Sequence, residues 1–221
     1  MILHPDRRLF AYYPPDRHSR FEIVRNCVSL EKLLSQTQLR PYQSLDLAVN
    51  LASSLLQLHA TPWLPVNWCE SSIYFPHNVP TVEINQPYVI INFGESPVSS
   101  NPDDTLNPYL VSLGIILLEL LEGKTFFQWL SERNDINIQT DDIKDRASAA
   151  WKWLTENAKL RFGGETYHAV VKRCLQCSFA SIQPQKYQKN LCDETFRDAF
   201  YREVVHELKS IYRMTTSPIN L

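Results

Sequence analysis

Residues Leu110 to Leu121 form a nearly unbroken apolar run, interrupted only by Ser112, Gly114 and Glu119. A bilayer span needs roughly 20 such residues. The run is too short and too interrupted for that, and reads instead as a helix buried on most of its sides. Its ends carry matching signals. Asn107 can accept hydrogen bonds from the first free N–H groups, Pro108 fits the first turn, and Gly123 can take the left-handed backbone that stops a helix. Such a helix must be enclosed, and the rest of the chain has to supply the enclosing layer.

The flanking sequence offers suitable pieces. Arg8–Tyr13 and Arg20–Arg25 read as short strands separated by a turn at Pro14-Pro15-Asp16. Ser29 is placed to cap a short helix with Leu30, Leu33 and Leu34 on one face. A longer helix capped by Ser44 carries Leu45, Ala48, Val49, Ala52, Leu55 and Leu56 at core-facing spacing and ends near His59. Ile73-Tyr74-Phe75 and Tyr88–Phe93 read as a small hairpin, and residues 95–107 as a polar loop. Thr140-Asp141-Asp142 opens a helix with Ala147, Ala150, Trp151 and Leu154 toward the core. Another helix runs from about Thr166 to Cys177. Asp193 starts the last, whose stripe is Phe196, Phe200, Val204, Leu208 and Ile211. The expected fold is mainly α with small β-hairpins, an α+β arrangement in one domain over residues 1–221.

Composition excludes several classes of function. A net charge of -2 makes no electrostatic case for nucleic acid or an anionic membrane. The 44% hydrophobic and 21% charged fractions are those of a globular chain with a sizeable core. Five cysteines, an odd number, and a start without a basic-then-apolar leader point to reduced thiols and an intracellular protein.

The order of these elements resembles the C-terminal lobe of a protein kinase. Phe21–Asn26 is similar to the strand entering the hinge, Ser44–His59 to the long helix before the catalytic loop, and Val111–Leu120 to the central buried helix. Ile90-Ile91-Asn92-Phe93-Gly94 stands where a kinase carries Asp-Phe-Gly. More narrowly, Leu55–Leu64, Trp68, Ile73-Tyr74-Phe75 and Tyr167–Cys177 resemble a fungal kinase-like family of unknown function, often found behind prion-inhibition or cell-death helical domains. The resemblance implies a kinase-like C-terminal lobe without the N-terminal lobe, with residues 1–26 a strand and hinge remnant and 27–221 the helical lobe.

Phosphoryl transfer needs a glycine-rich cradle, a phosphate-binding lysine, a base and magnesium ligands. The first glycine is Gly94 and the first lysine Lys32, both past the hinge-like segment. Counted from His59, Asn67 falls at the catalytic aspartate and Ser72 at the second metal ligand, while Asn92 replaces the Asp of Asp-Phe-Gly. A neutral amide neither takes a proton near neutral pH nor replaces a carboxylate at magnesium. Tyr109 stands where kinases place an aspartate that supports the catalytic loop. No Ala-Pro-Glu segment precedes the central helix.

The expectation is therefore a non-catalytic, pseudokinase-like interaction module, a shortened relative of a longer protein, with no cofactor or metal, ATP binding disfavoured and an unidentified protein as partner. The alternatives are a divergent nucleotide-binding protein or weak phosphotransferase using Asn67, Glu70 and Asn92, and a plain helical scaffold. Trp63 and Trp68 pack the proline-rich loop against the helices or line a partner-binding surface. Cys174 and Cys177, a lone C-x-x-C, read as ordinary thiols for want of further zinc ligands. His59 reads as a packed, hydrogen-bonded residue, and Glu119 as paired or at the helix edge.

Overall fold

The computed structural model describes residues 10–12, 27–36, 39–61, 63–66, 68–78, 81–90, 106–133, 142–156, 162–182 and 189–216. In chain order the elements are β1 (Phe10–Tyr12), β2 (Cys27–Ser29), α1 (Leu30–Gln36) and α2 (Pro41–Leu58), then β3 (Ile73–Asn78), β4 (Thr81–Val82) and β5 (Tyr88–Ile90). Helices α3 (Pro108–Glu122), α4 (Phe126–Glu132), α5 (Ile143–Glu156), α6 (Gly164–Gln176), α7 (Glu194–Phe200) and α8 (His206–Thr216) follow. A π-helical turn, Tyr201–Val205, joins α7 to α8. The described residues are mainly helical, and none of their helices is long and apolar enough to cross a membrane.

Helix α3 is enclosed by α2, α5 and α6. Asn107 Oδ1 accepts from Tyr109 N–H at 3.0 Å and Leu110 N–H at 3.3 Å, and Gly123 ends the helix at φ 69°. Every residue from Leu110 to Leu121 is buried. The two helices pack closely at Gly114, where a Cβ would come within 2.8 Å of Leu175 Cδ2 and 3.1 Å of Cys174 Cβ on α6. The Tyr167 hydroxyl donates to Leu117 O at 2.9 Å and joins the same two helices.

The sheet rests beside this bundle. β3 pairs antiparallel with β2, β4 and β5, as the expected hairpin requires, with Ile73 opposite Val89 and Tyr74 opposite Tyr88. β1 joins β5 in parallel, so its described partner lies far along the chain; residues 20–25, expected as its neighbouring strand, lie outside the described residues.

Ser29 Oγ accepts from Lys32 N–H at 3.2 Å, and Leu30, Leu33 and Leu34 are the buried face of α1. The long helix starts earlier than expected. Pro41 occupies its first turn, Arg40 N–H donates to Gln43 Oε1 at 3.0 Å, and Ser44 is buried inside the helix. Proline's fixed φ sets the start there, and the serine is left to pack. On α5 the core aromatic is Trp153, with Trp151 only half-buried. Trp153 stacks on Trp129 and Phe126 of α4, a short helix that the sequence reading did not resolve. Asp193 caps α7 through Phe196 N–H at 2.9 Å, and its whole expected stripe to Ile211 is buried.

Candidate functional site

The loop from His59 to Ser72 carries most of the sequence-predicted positions. It leaves α2 under local restraint. His59 Nδ1 lies 3.2 Å from Leu55 O and 3.1 Å from Leu56 O, so this nitrogen donates to its own helix and the ring is a packed cap. Thr61 Oγ donates to Leu58 O at 2.7 Å and accepts from Trp63 N–H at 3.3 Å. Trp63 is 40% exposed. Trp68 is 1% exposed and belongs to the core, so of the two tryptophans considered for a partner surface only Trp63 reaches solvent.

The Trp68 indole N–H donates to Tyr109 O at 3.3 Å, across to the first turn of α3. Tyr109 thus meets the loop through its backbone carbonyl. Buried tryptophans ordinarily find such a partner for the indole N–H. Ser72 then closes the loop: its hydroxyl donates to Cys69 O at 2.7 Å and accepts from Cys69 N–H at 3.1 Å. Both bonds serve the short 3-10 turn Glu70–Ser72 that leads into β3. Because Ile73 lies opposite Val89, the Ser72 end of the loop stands beside the point where β5 ends at Ile90. Asn67 and Asn92 lie outside the described residues.

Glu70 of this loop and Glu31 of α1 lie close enough for their charges to act on Glu119 of α3, a group that the sequence reading undervalued. Glu119 is fully buried; its Oε1 accepts from Phe126 N–H at 2.7 Å, at the start of α4, and its Oε2 has no partner. Burial drives its carboxyl well above the usual range, reinforced by the Glu70 charge and more weakly by Glu31, with the Phe126 N–H and Arg146 opposing. Glu70 is raised as well, chiefly by burial, with Glu31 adding and its own backbone N–H and Arg146 opposing. The available signal was Glu119 inside an apolar run: on a helix enclosed all round, no edge exists for it to occupy. Among the described residues, no group of three His, Cys, Asp or Glu side chains is arranged to hold a metal ion.

The C-x-x-C pair is buried at the α3–α6 junction. Burial pushes both thiols up, Cys177 to about 11, so neither is a thiolate near neutral pH. Cys177 adopts φ 47°, and its sulfur accepts from Asn107 N–H at 3.1 Å. Asn107 Nδ2 also donates to Lys189 O at 2.9 Å, so one residue joins the start of α3, the end of α6 and the approach to α7.

The sequence model of a domain of unknown function, DUF7580, matches residues 2–213. The chain belongs to the DUF7580 family. No curated protein matches it. Among solved structures, this DUF7580 chain is similar to the pseudokinase domain of BIR2, an immune regulator of the RLK/Pelle family, at 16% identity and a TM-score of 0.43. The match covers 86% of this chain and 58% of that one, and the two backbones agree only loosely.

Proposed function

We propose that this DUF7580 chain is a non-catalytic, kinase-like module that works by binding a protein partner. The observation that carries the reading is how the His59–Ser72 loop is held. It leaves the long helix α2, is tethered to the first turn of α3 by the Trp68–Tyr109 bond, and ends beside the exit of β5. That order of parts is the one that resembles a kinase catalytic loop.

The chemistry at those parts serves the loop itself. A working catalytic loop turns a base and a metal ligand toward phosphate and magnesium. At the aligned position Ser72 has its hydroxyl closed onto Cys69, and the support reaching over from Tyr109 is a neutral carbonyl. A fungal signalling or recognition setting, as the resemblance implies, belongs to the same proposal.

Thermal unfolding with millimolar ATP, with and without magnesium, tests the reading. A ligand that binds only the folded state raises the melting temperature once its concentration exceeds Kd. The expected result is no shift and no transfer of labelled phosphate to the protein itself or to a generic substrate. Magnesium-dependent phosphorylation would overturn the proposal.

A further inference from the structure

We propose that α4 is a pH-released flap: when Glu119 ionises, the helix detaches from α3 and uncovers the aromatic surface it shares with Trp153. The device stands independently of the interaction-module reading.

Helix α4 has a slight hold on the bundle. It spans only Phe126–Glu132, well short of the roughly 12–15 residues at which an isolated helix begins to persist in water. Among the described elements, none packs broadly against its backbone, so side chains attach it. Its first N–H, from Phe126, donates to Glu119 Oε1 at 2.7 Å. The Phe126 and Trp129 rings stack on Trp153 of α5, with centres 6.0 and 5.4 Å away. Just past the helix, Arg133 Nη1 donates to Glu156 Oε1 at 3.1 Å, a partly exposed pair that solvent weakens. Phe127 is 69% exposed, so the outer face of α4 already meets water.

The junction beneath α4 is short of hydrogen bonds. Among the described residues, Glu119 Oε2 and the Trp153 indole N–H are both buried there without a partner. Buried polar groups are ordinarily paired, and admitting water would satisfy both of these. A neutral carboxyl tolerates the site. A carboxylate does not, because the Phe126 N–H alone does not offset taking a charge out of water.

The surrounding charges lean the same way. Glu70 in the 3-10 turn and Glu31 on α1 oppose ionisation of Glu119, and burial opposes it more strongly; Arg146 on α5 favours it. Among the described residues, α2 and α6 add no charge that acts on it. Beside α4 itself, Lys124 and Glu132 pair with each other at 2.7 Å. Helix α3 is enclosed, so the strain is relieved by moving the loosely attached α4 and letting water reach the carboxylate. Docking is thus complete at low pH and is lost as pH rises through the folded value of Glu119.

The test is hydrogen exchange of the full chain, read by mass spectrometry from about pH 5 to 9, with protection over residues 124–133 corrected for the intrinsic pH dependence of exchange. Glu119→Gln keeps the acceptor without the charge, and Glu70→Gln removes a like charge while leaving Glu119 in place. Circular dichroism checks that both fold. In wild type, protection of α4 should fall about tenfold per pH unit over part of this range, while α3 and α6 stay protected. Tryptophan emission should move to the red over the same interval, as Trp129 and Trp153 reach water. Glu119→Gln should hold α4 at every pH, and Glu70→Gln should lessen the loss. Wild-type protection of α4 that does not change with pH overturns the inference. So does an equal fall in Glu119→Gln or, should that variant not fold, in Glu70→Gln. Simultaneous loss of protection in every helix also overturns it, because that is global unfolding.

Discussion

Replacing Glu119 by Gln should change how stability depends on pH more than it changes stability at any one pH. Glutamine keeps the acceptor that holds Phe126 N–H at 2.7 Å, but cannot ionise. In the native chain the Glu119 carboxyl lies well above its ordinary value of 4.5 because burial penalises the charged form, with Glu70 and Glu31 adding and Phe126 N–H and Arg146 opposing. The folded state therefore binds a proton that the unfolded chain releases once pH passes 4.5. Stability is greatest below that value and falls as pH rises toward the folded value. Within that window one proton of difference is worth about 1.4 kcal/mol per pH unit. Glu70 contributes a slope of the same sign. Urea unfolding at successive pH values from 5 upward should give a flatter curve for Glu119→Gln, by about 1.4 kcal/mol per unit. The variant should be at most slightly less stable than wild type near pH 5 and should overtake it as pH rises. Parallel curves for the two proteins would refute the argument, because they would mean that Glu119 ionises alike in the folded and unfolded chains.

Other substitutions probe the packing that holds the site. Gly114→Ala puts a methyl within 2.8 Å of Leu175. Overpacking of about 1–3 kcal/mol should outweigh a helix gain of about 1 kcal/mol, giving a net loss in chemical denaturation; net stabilisation would refute the close approach. Cys177→Ala keeps a side chain at φ 47° and loses the sulfur bonded to Asn107 N–H. Cys177→Gly loses the same bond but relieves the backbone, so it should be more stable than the alanine variant by about 1 kcal/mol. Trp68→Phe strands the Tyr109 carbonyl and should lose roughly 1–3 kcal/mol in the same assay. Trp63→Ala, at a residue 40% exposed, should cost less than Trp68→Ala, at a residue 1% exposed, and a reversed order would contradict the two burials.

The parts legible in the sequence are those whose signals are local. Asn107-Pro108 and Gly123 bracket α3, and the Phe196–Ile211 stripe marks the last helix, because caps and periodicity are written in neighbouring residues. The misreadings share a different cause. Helix α4 is short, and its capping box, with Thr125 Oγ accepting from Gln128 N–H and Gln128 Oε1 accepting from Thr125 N–H, is a weaker signal than the apolar run before it. The position of α4 decides which tryptophan of α5 is buried. Both Trp151 and Trp153 fit a face with Ala147, Ala150 and Leu154, and the choice depends on Phe126 and Trp129 stacking on Trp153.

At the candidate site the same limit applies to chemistry. Side-chain identity suggested that Tyr109 had ended the support an aspartate would give, because a phenol in that place reads as a loss. The first turn of α3 does reach the loop, through an atom every residue possesses, the backbone carbonyl, which accepts the Trp68 indole N–H. The residue type at position 109 therefore matters less to the tether than the indole opposite it. A tether built this way holds the loop without bringing a charge, which suits a loop whose hydroxyl at Ser72 is already committed to its own turn. Glu119 is the counterpart: an acid retained deep in the enclosed helix, where one oxygen starts α4 and the other has no partner, and where ionisation works against the fold.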